Sequence, residues 1–244
     1  MSAGSIINRL RYQIRRAVYC TPLARLVSGR GEPASSEVAA RNWDAMMTGG
    51  YASYLDRTIS VGSRDALLAT LIRSLHPKAT SLLDLGCGAG TLAEAVAAVG
   101  VKRYEGRDLS GVAISRAGQF RDAAPERYPP ECRFETGDIR TLDLGGAEAF
   151  DAIVFSEVLY YLGSPQAAAE RVHDCMRWLA PGGIIGVSMK DDPKSHAVFD
   201  RLACQFEWVA GMLFQEKFSG PEFRVRINRE RPGFLVAVLR GKQA

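Results

Sequence analysis

The sequence predicts an α/β fold: a doubly wound, mostly parallel seven-stranded sheet that ends in an antiparallel hairpin, preceded by a helical extension. Two patterns carry this reading. From Ser81 onward, short apolar runs alternate with helix-like segments, as right-handed crossovers in a parallel sheet require. The runs Phe223 to Asn228 and Phe234 to Leu239 are separated only by RERPG, too short for a crossover, so they are expected to pair antiparallel.

The elements follow in order. A helix over residues 6–19 gathers Ile6, Ile7, Leu10, Ile14, Ala17 and Val18 on one arc, with Arg9, Arg11, Arg15 and Arg16 on the other. Such a basic amphipathic helix suits packing on its own domain or a partner, an anionic membrane surface, or a transit peptide, and the sequence leaves these open. Glycine, proline and serine crowd into SGRGEPASS, residues 28–36, which reads as a linker. Strands are expected at 81–85, 103–107, 132–136, 150–156 and 183–189, and helices at 90–99, 112–121, 166–180 and 195–213. The arrangement is Rossmann-like.

Composition narrows the function classes. Of 244 residues, 47% are hydrophobic and 24% charged, which suits one ordinary domain with a sizeable core. The net charge of +4 arises at the N-terminus, since residues 1–31 hold six arginines and no acid, leaving 25 basic against 27 acidic residues beyond them. A basic nucleic-acid-binding body is therefore not expected. The longest apolar runs fall short of the roughly 20 residues of a membrane helix, and arginines interrupt any secretory h-region. Five scattered cysteines fit neither a disulfide framework nor zinc spacing, so the expectation is reduced thiols, a cytoplasmic location and no metal.

The motif that carries chemistry is LLDLGCGAG, residues 82–90, where a strand gives way to alternate glycines at Gly86, Gly88 and Gly90 before TLAEAVAAV begins. Alternate glycines let a ligand lie against the turn, and the amides at the helix start are expected to face it. Asp84 is unusual, because a carboxylate at the end of a buried strand costs several kcal/mol unless a cation or hydrogen-bond donor satisfies it. Asp108 lies 20 residues past Gly88, the position of a ribose-binding acid in doubly wound folds, with capping of the next helix as its alternative. Asp138, after Gly137, is placed to accept from the exocyclic amine of a base between Leu109 and Ile139, or else to close an Asx turn. All three acids fall at C-terminal strand ends, where open sheets bind ligands.

These residues resemble the class I S-adenosylmethionine-dependent methyltransferases. LLDLGCGAG, Asp108, the Gly137-Asp138 pair, FDAIVFSEVLYYL at 150–162 and LAPGGIIGVSM at 179–189 follow that family's order and spacing over residues 80 to about 190. SEVLYYL followed by LAPGG resembles, over about 30 residues, the nodulation-type N-methyltransferases. The resemblance implies S-adenosyl-L-methionine as cofactor and S-adenosyl-L-homocysteine as product. It implies that Asp84, Gly86, Cys87, Gly88 and Gly90 hold the methionine end, Asp108 the ribose and Asp138 the adenine, with Leu109 and Ile139 as walls. Ser156 and Glu157 would line the cofactor and acceptor sites, and Tyr51, with Tyr54, would close over the cofactor. Three pieces follow: a basic helix and linker at 1–31, a helical cap over the cofactor site at 32–79, and the methyltransferase core at 80–241.

Methyl transfer asks little of side chains, because an acceptor nitrogen or oxygen need only be held in line and desolvated; positioning supplies up to roughly 7–11 kcal/mol. Where the acceptor must lose a proton, Glu157 is the first candidate base, with His196, Tyr160 and Tyr161 behind it. Each has a structural alternative: a helix cap for Glu157, packing for the tyrosines, surface exposure for His196. SEVL lacks the Asn/Asp-Pro-Pro-Tyr motif of enzymes acting on base amino groups, so a small molecule or a sugar on a glycan or lipid carrier is the expected acceptor. Peripheral membrane contact through residues 6–19 would suit a membrane-associated acceptor. Two other functions fit the glycine loop. An NAD(P)-dependent oxidoreductase is one, since Gly88, Gly90 and Ala93 match G-x-G-x-x-A, although Asp84 and the hairpin oppose it. The other is a catalytically inactive cofactor-binding scaffold.

Overall fold

The computed structural model describes residues 35–48, 59–146, 149–214 and 234–241. The expected helix at 6–19, most of the linker, Tyr51, Tyr54 and the strand at 223–228 lie outside the described residues.

Seven strands form one sheet among the described residues: β1 (Ser81–Leu85), β2 (Arg103–Asp108), β3 (Glu131–Thr136), β4 (Phe150–Ser156), β5 (Leu179–Lys190), β6 (Phe206–Phe214) and β7 (Phe234–Gly241). Their spatial order is β3-β2-β1-β4-β5-β7-β6. The first five run parallel, and β7 lies antiparallel to both β5 and β6. Among the described residues six α-helices accompany them: α1 (Ser36–Thr48), α2 (Ile59–Leu75), α3 (Thr91–Ala98), α4 (Gly111–Ala123), α5 (Pro165–Cys175) and α6 (Pro193–Gln205).

The period of two in the strands divides the core into two layers. Leu83, Leu85, Ile153, Phe155, Ile185 and Val187 face α5 and α6. Leu82, Tyr104, Ala152, Val154 and Ile184 face α2 and α3, where Leu68, Ile72, Leu92 and Val96 cover them. Helix starts follow local chemistry. Ser164 and Asp192 accept from the amides of Ala167 and Ser195, and Pro165 and Pro193 then occupy the first helical positions of α5 and α6.

Three expectations need correction. The helix expected at 195–213 ends at Gln205, and Phe206–Phe214 is strand β6. The antiparallel pairing of Phe234–Gly241 is present, but among the described residues its outer partner is β6 rather than 223–228. Tertiary pairing wins over helical periodicity here, because Val236, Ala237, Val238 and Leu239 of β7 are buried on alternating faces and Phe206 and Val209 of β6 pack on the two core layers. Within the expected cap, α2 lies on the sheet, burying Leu68, Ala69 and Ile72, whereas α1 runs beside α4 at the strand ends. The helix expected at 166–180 stops at Cys175, and Met176–Trp178 forms a 3-10 turn into β5.

Asp151 pins the beginnings of β1 and β4 together. Its Oδ2 accepts from the backbone N–H groups of Thr80 (2.8 Å) and Ser81 (3.0 Å) and from both their hydroxyls. Burial alone would push this carboxyl up, but those four donors outweigh it and hold it below the ordinary carboxylate range. A depressed folded-state pKa contributes stability above the unfolded value of about 3.9 and loses it as pH falls through the folded value. Asp151→Ala should therefore cost about 2–3 kcal/mol in urea unfolding at pH 7, with the gap from the parent protein narrowing below about pH 4.

Candidate active site

The turn after β1 is held by its neighbour strand. Gly86 N–H (2.7 Å) and Cys87 N–H (3.1 Å) donate to the Arg107 carbonyl at the end of β2, and Gly88 N–H (2.8 Å) donates to Asp108 Oδ2. These three amides fix the loop against the end of β2. Gly86, Gly88 and Gly90 all have positive φ. A Cβ at Gly90 would lie 2.6 Å from Phe134, so close packing of the turn on β3 demands glycine there. A Cβ at Gly88 would meet nothing within 4 Å, so that side of the turn opens onto a cradle. Cys87 is buried with its thiol directed at Gly106 of β2, and burial pushes that thiol well up.

Asp84 ends β1 with only 1% of its surface exposed. The Tyr104 hydroxyl donates to Oδ2 at 2.6 Å, and Oδ1 finds no donor. Burial raises the Asp84 pKa to about 7, against the pull of the Tyr104 bond. Over this carboxylate, α2 carries a second buried pair. Arg64 Nε (3.0 Å) and Nη2 (2.9 Å) donate to Asp65 Oδ1, and the Thr91 hydroxyl at the start of α3 donates to Asp65 Oδ2 at 2.6 Å. The Arg64 charge reaches Asp84, Glu157 and Tyr160.

Asp108 is clasped by backbone. Oδ1 accepts from Ser110 N–H (2.9 Å) and Oδ2 from Gly88 N–H, while burial still raises its pKa. The helix cap is Ser110, whose hydroxyl oxygen accepts from Ala113 N–H. Each Asp108 oxygen therefore keeps a lone pair for an outside donor. Asp138 differs. Its oxygens accept from Arg140 N–H (2.9 Å), Nε (3.0 Å) and Nη2 (2.7 Å) and from the Ser36 hydroxyl of α1. Burial would raise this carboxyl, but these donors hold it below its usual range. The same helix α1 reaches across the strand ends, where Asp44 Oδ1 accepts from the Ser110 hydroxyl at 2.6 Å and from Val112 N–H at 3.2 Å. Leu109 is half-buried beside Asp108, and Ile139 packs on the core layer of α5 and α6.

Beyond β4, Glu157 is the single non-glycine residue of positive φ (59°) among the described residues, and its N–H donates to the Ser188 carbonyl at 2.8 Å. The Tyr160 hydroxyl donates to Glu157 Oε2 at 2.9 Å, whereas Oε1 is shut from solvent without a well-formed hydrogen bond. Burial raises the Glu157 pKa against the opposing charges of Arg64 and Lys190. Ser156 is half-buried with its hydroxyl unpartnered. His196 is not gathered into this group; its Nε2 lies 2.7 Å from Asp191 Oδ1 at the start of α6.

The structure thus brings Asp84, the glycine turn, Asp108 and Glu157 to the C-terminal edge of β1, β2 and β4. Sequence reasoning missed Arg64, Asp65, Tyr104 and the α1 residues Ser36 and Asp44. A signal existed for one of them: Asp65, Leu68, Ala69 and Ile72 follow the i, i+3, i+4, i+7 spacing of a buried helical stripe, which marks Asp65 as a buried acid.

Comparison with known proteins agrees with this geometry. A family profile described as a methyltransferase domain matches residues 51–219. Over 140 residues the chain is 31% identical to trans-aconitate 2-methyltransferase of Acidovorax sp. (strain JS42), covering 57% of this chain and 50% of that protein. Over 115 residues it is 35% identical to dTDP-4-amino-2,3,4,6-tetradeoxy-D-glucose N,N-dimethyltransferase of Saccharopolyspora spinosa, covering 47% of this chain and 42% of that one. The chain spans about half the length of the curated relatives it matches. Its fold is similar to N-methyltransferase NodS of Bradyrhizobium japonicum WM9 in complex with S-adenosyl-L-homocysteine, with a TM-score of 0.63 and 24% identity over 84% of this chain and 98% of that one. Because the matched span runs from before β1 through β6 and takes in all three strand-end acids, the chain belongs to the methyltransferase domain family.

Proposed function

We propose that the chain binds S-adenosyl-L-methionine across the ends of β1 and β2 and transfers its methyl group to a nitrogen or oxygen of a small molecule or sugar/glycan-type acceptor. One observation carries this reading: Asp84 is buried with one oxygen unsatisfied beside a glycine turn that is open at Gly88. A cationic ligand supplies the missing donor and restores the ionised carboxylate. Bound there, the sulfonium provides a methyl carbon already activated for attack.

The chain's own residues then bind and orient. Asp84 accepts from the ammonium of the methionine moiety, and Arg64, whose charge already reaches Asp84 and Glu157, faces its carboxylate. Asp108 accepts the ribose hydroxyls on its remaining lone pairs. Leu109 and Ile139 flank the adenine, and Asp138 takes its amine only when Ser36 or Arg140 gives way. The printed activities of the relatives, on trans-aconitate and on an amino-sugar nucleotide, support a small-molecule or sugar acceptor.

Calorimetry tests the reading directly. Heat should be released with S-adenosyl-L-methionine and with S-adenosyl-L-homocysteine, but not with NAD. The sign of the pH effect follows from Asp84. Its folded-state pKa is raised to about 7, so it is largely protonated at pH 6; binding a cation expels that proton, and affinity rises as pH increases through 7. Measured heats at pH 6 should accordingly depend on the ionisation heat of the buffer, and no heat or thermal shift with either nucleoside would refute the assignment.

A pair of glycine variants separates packing from binding. Gly90→Ala combines left-handed strain with a methyl pressed into Phe134 and should lose about 2–4 kcal/mol of stability. Gly88→Ala has open space around it and should lose only about 1–2 kcal/mol, yet weaken nucleoside binding roughly tenfold or more, because its methyl occupies the cradle.

A further inference from the structure

The residue after β4 holds a conformation that its own interactions do not explain. Left-handed φ in a glutamate costs about 1–3 kcal/mol and persists where the surroundings enforce it, often at working sites. Its carboxylate is closed off from solvent: Oε2 accepts from Tyr160, the Lys190 backbone N–H lowers its pKa, and Oε1 has no well-formed hydrogen bond. The cations nearby are engaged elsewhere: Arg64 from α2 on Asp65, and Lys190 from β5 on Asp192 at 3.2 Å and over the Tyr160 ring at 4.9 Å. At the start of α6, Lys194 donates to the Tyr160 carbonyl, and His196 is paired with Asp191. The ring of Tyr160 lies against Tyr161 at 4.6 Å, and Tyr161 meets Trp43 of α1 edge-on at 5.0 Å.

Resting on the cofactor reading above, we infer that the methyl acceptor is an amine, that it enters as an ammonium, and that it gives its proton to Glu157 Oε1. A carboxylate offers only acceptor lone pairs, and an ammonium brings three donors. Aromatic rings attract cations, as the placement of Lys190 over Tyr160 shows. The strength of the proton's bond separates an amine from an aliphatic hydroxyl: an alkylammonium releases its proton with a pKa of about 10.4, whereas an aliphatic hydroxyl holds it about as tightly as water does. A phenol is as acidic as the ammonium, at about 10, but it is neutral and brings one donor where the ammonium brings three. A carboxylate acceptor would meet the Glu157 charge head-on.

The step balances. The ammonium N–H bond breaks and its proton passes to Oε1. The freed nitrogen lone pair forms the N–C bond to the methyl carbon as the C–S bond breaks, its electron pair remaining on a now neutral sulfur. A methylammonium product leaves, and the proton on Glu157 returns to water.

The experiment follows tritiated methyl from S-adenosyl-L-methionine into an extract of cells that make the protein, with and without prior treatment by sulfosuccinimidyl acetate, which acylates amines and spares hydroxyls. Acylation should abolish at least about nine-tenths of the labelling, whereas labelling that survives it overturns the inference. Glu157→Gln should lower labelling about 100-fold at neutral pH and recover toward high pH, where the free amine forms without a base. S-adenosyl-L-homocysteine affinity should stay within about twofold of the parent protein. A variant equally active at every pH overturns the proton transfer. Calorimetric binding of S-adenosyl-L-homocysteine with no labelling of an amine-containing extract sinks the amine inference and leaves the cofactor reading standing, whereas absent binding sinks both.

Discussion

A carboxylate shut away from water at the end of β1 constrains everything built around it. Ionised and unmatched, such a group costs several kcal/mol, and the fold supplies Asp84 with a single phenol donor from Tyr104. The Asp65 carboxylate nearby adds repulsion, and Arg64 offsets part of it. Stability is thereby surrendered at a place where packing alone would prefer an apolar residue. Protonation near pH 7 relieves that deficit in the free protein, and under the proposed reading a cation at the adjoining turn relieves it in the bound one.

The three strand-end acids differ in how far they are satisfied. Asp138 is saturated by Arg140 and Ser36. Asp108 is clasped by two amides yet retains acceptor capacity. Asp84 is left nearly bare. Satisfaction thus falls from Asp138 through Asp108 to Asp84, so the acceptor capacity left for an outside donor is greatest at the end of β1. Helix α1 touches both regions through Ser36 and Asp44, so its docking and the state of Asp138 are mechanically linked.

Much of this was legible in the sequence because parallel, doubly covered strands read as short apolar runs, and β1, β4 and β5 do so, whereas RYEGRD of β2 and ECRFET of the edge strand β3 are marked by their place between helical segments. Caps followed by proline marked the starts of α5 and α6. Phe206–Phe214 was not legible, since its apolar side chains fit both periodicities and only the presence of β7 decides between them. The glycine turn and its acids could be placed from spacing, but the closure of Arg140 onto Asp138 depends on tertiary approach and left no pattern. Nor does any local signal announce a left-handed glutamate at 157. The Asp65 stripe was readable in principle, as a charge standing where a helix should be greasy.

The insertion of β7 between β5 and β6 bears on how the molecule assembles. Strand β6 is synthesised before β7 but has no hydrogen-bonding neighbour in the sheet until β7 arrives. During translation, β5 and β6 each present an open edge with aromatic and aliphatic side chains attached. That interval favours chaperone capture or self-association of nascent chains, and the sheet can zip shut on that side only in reverse order of appearance, with the later segment threading into a slot kept vacant for it.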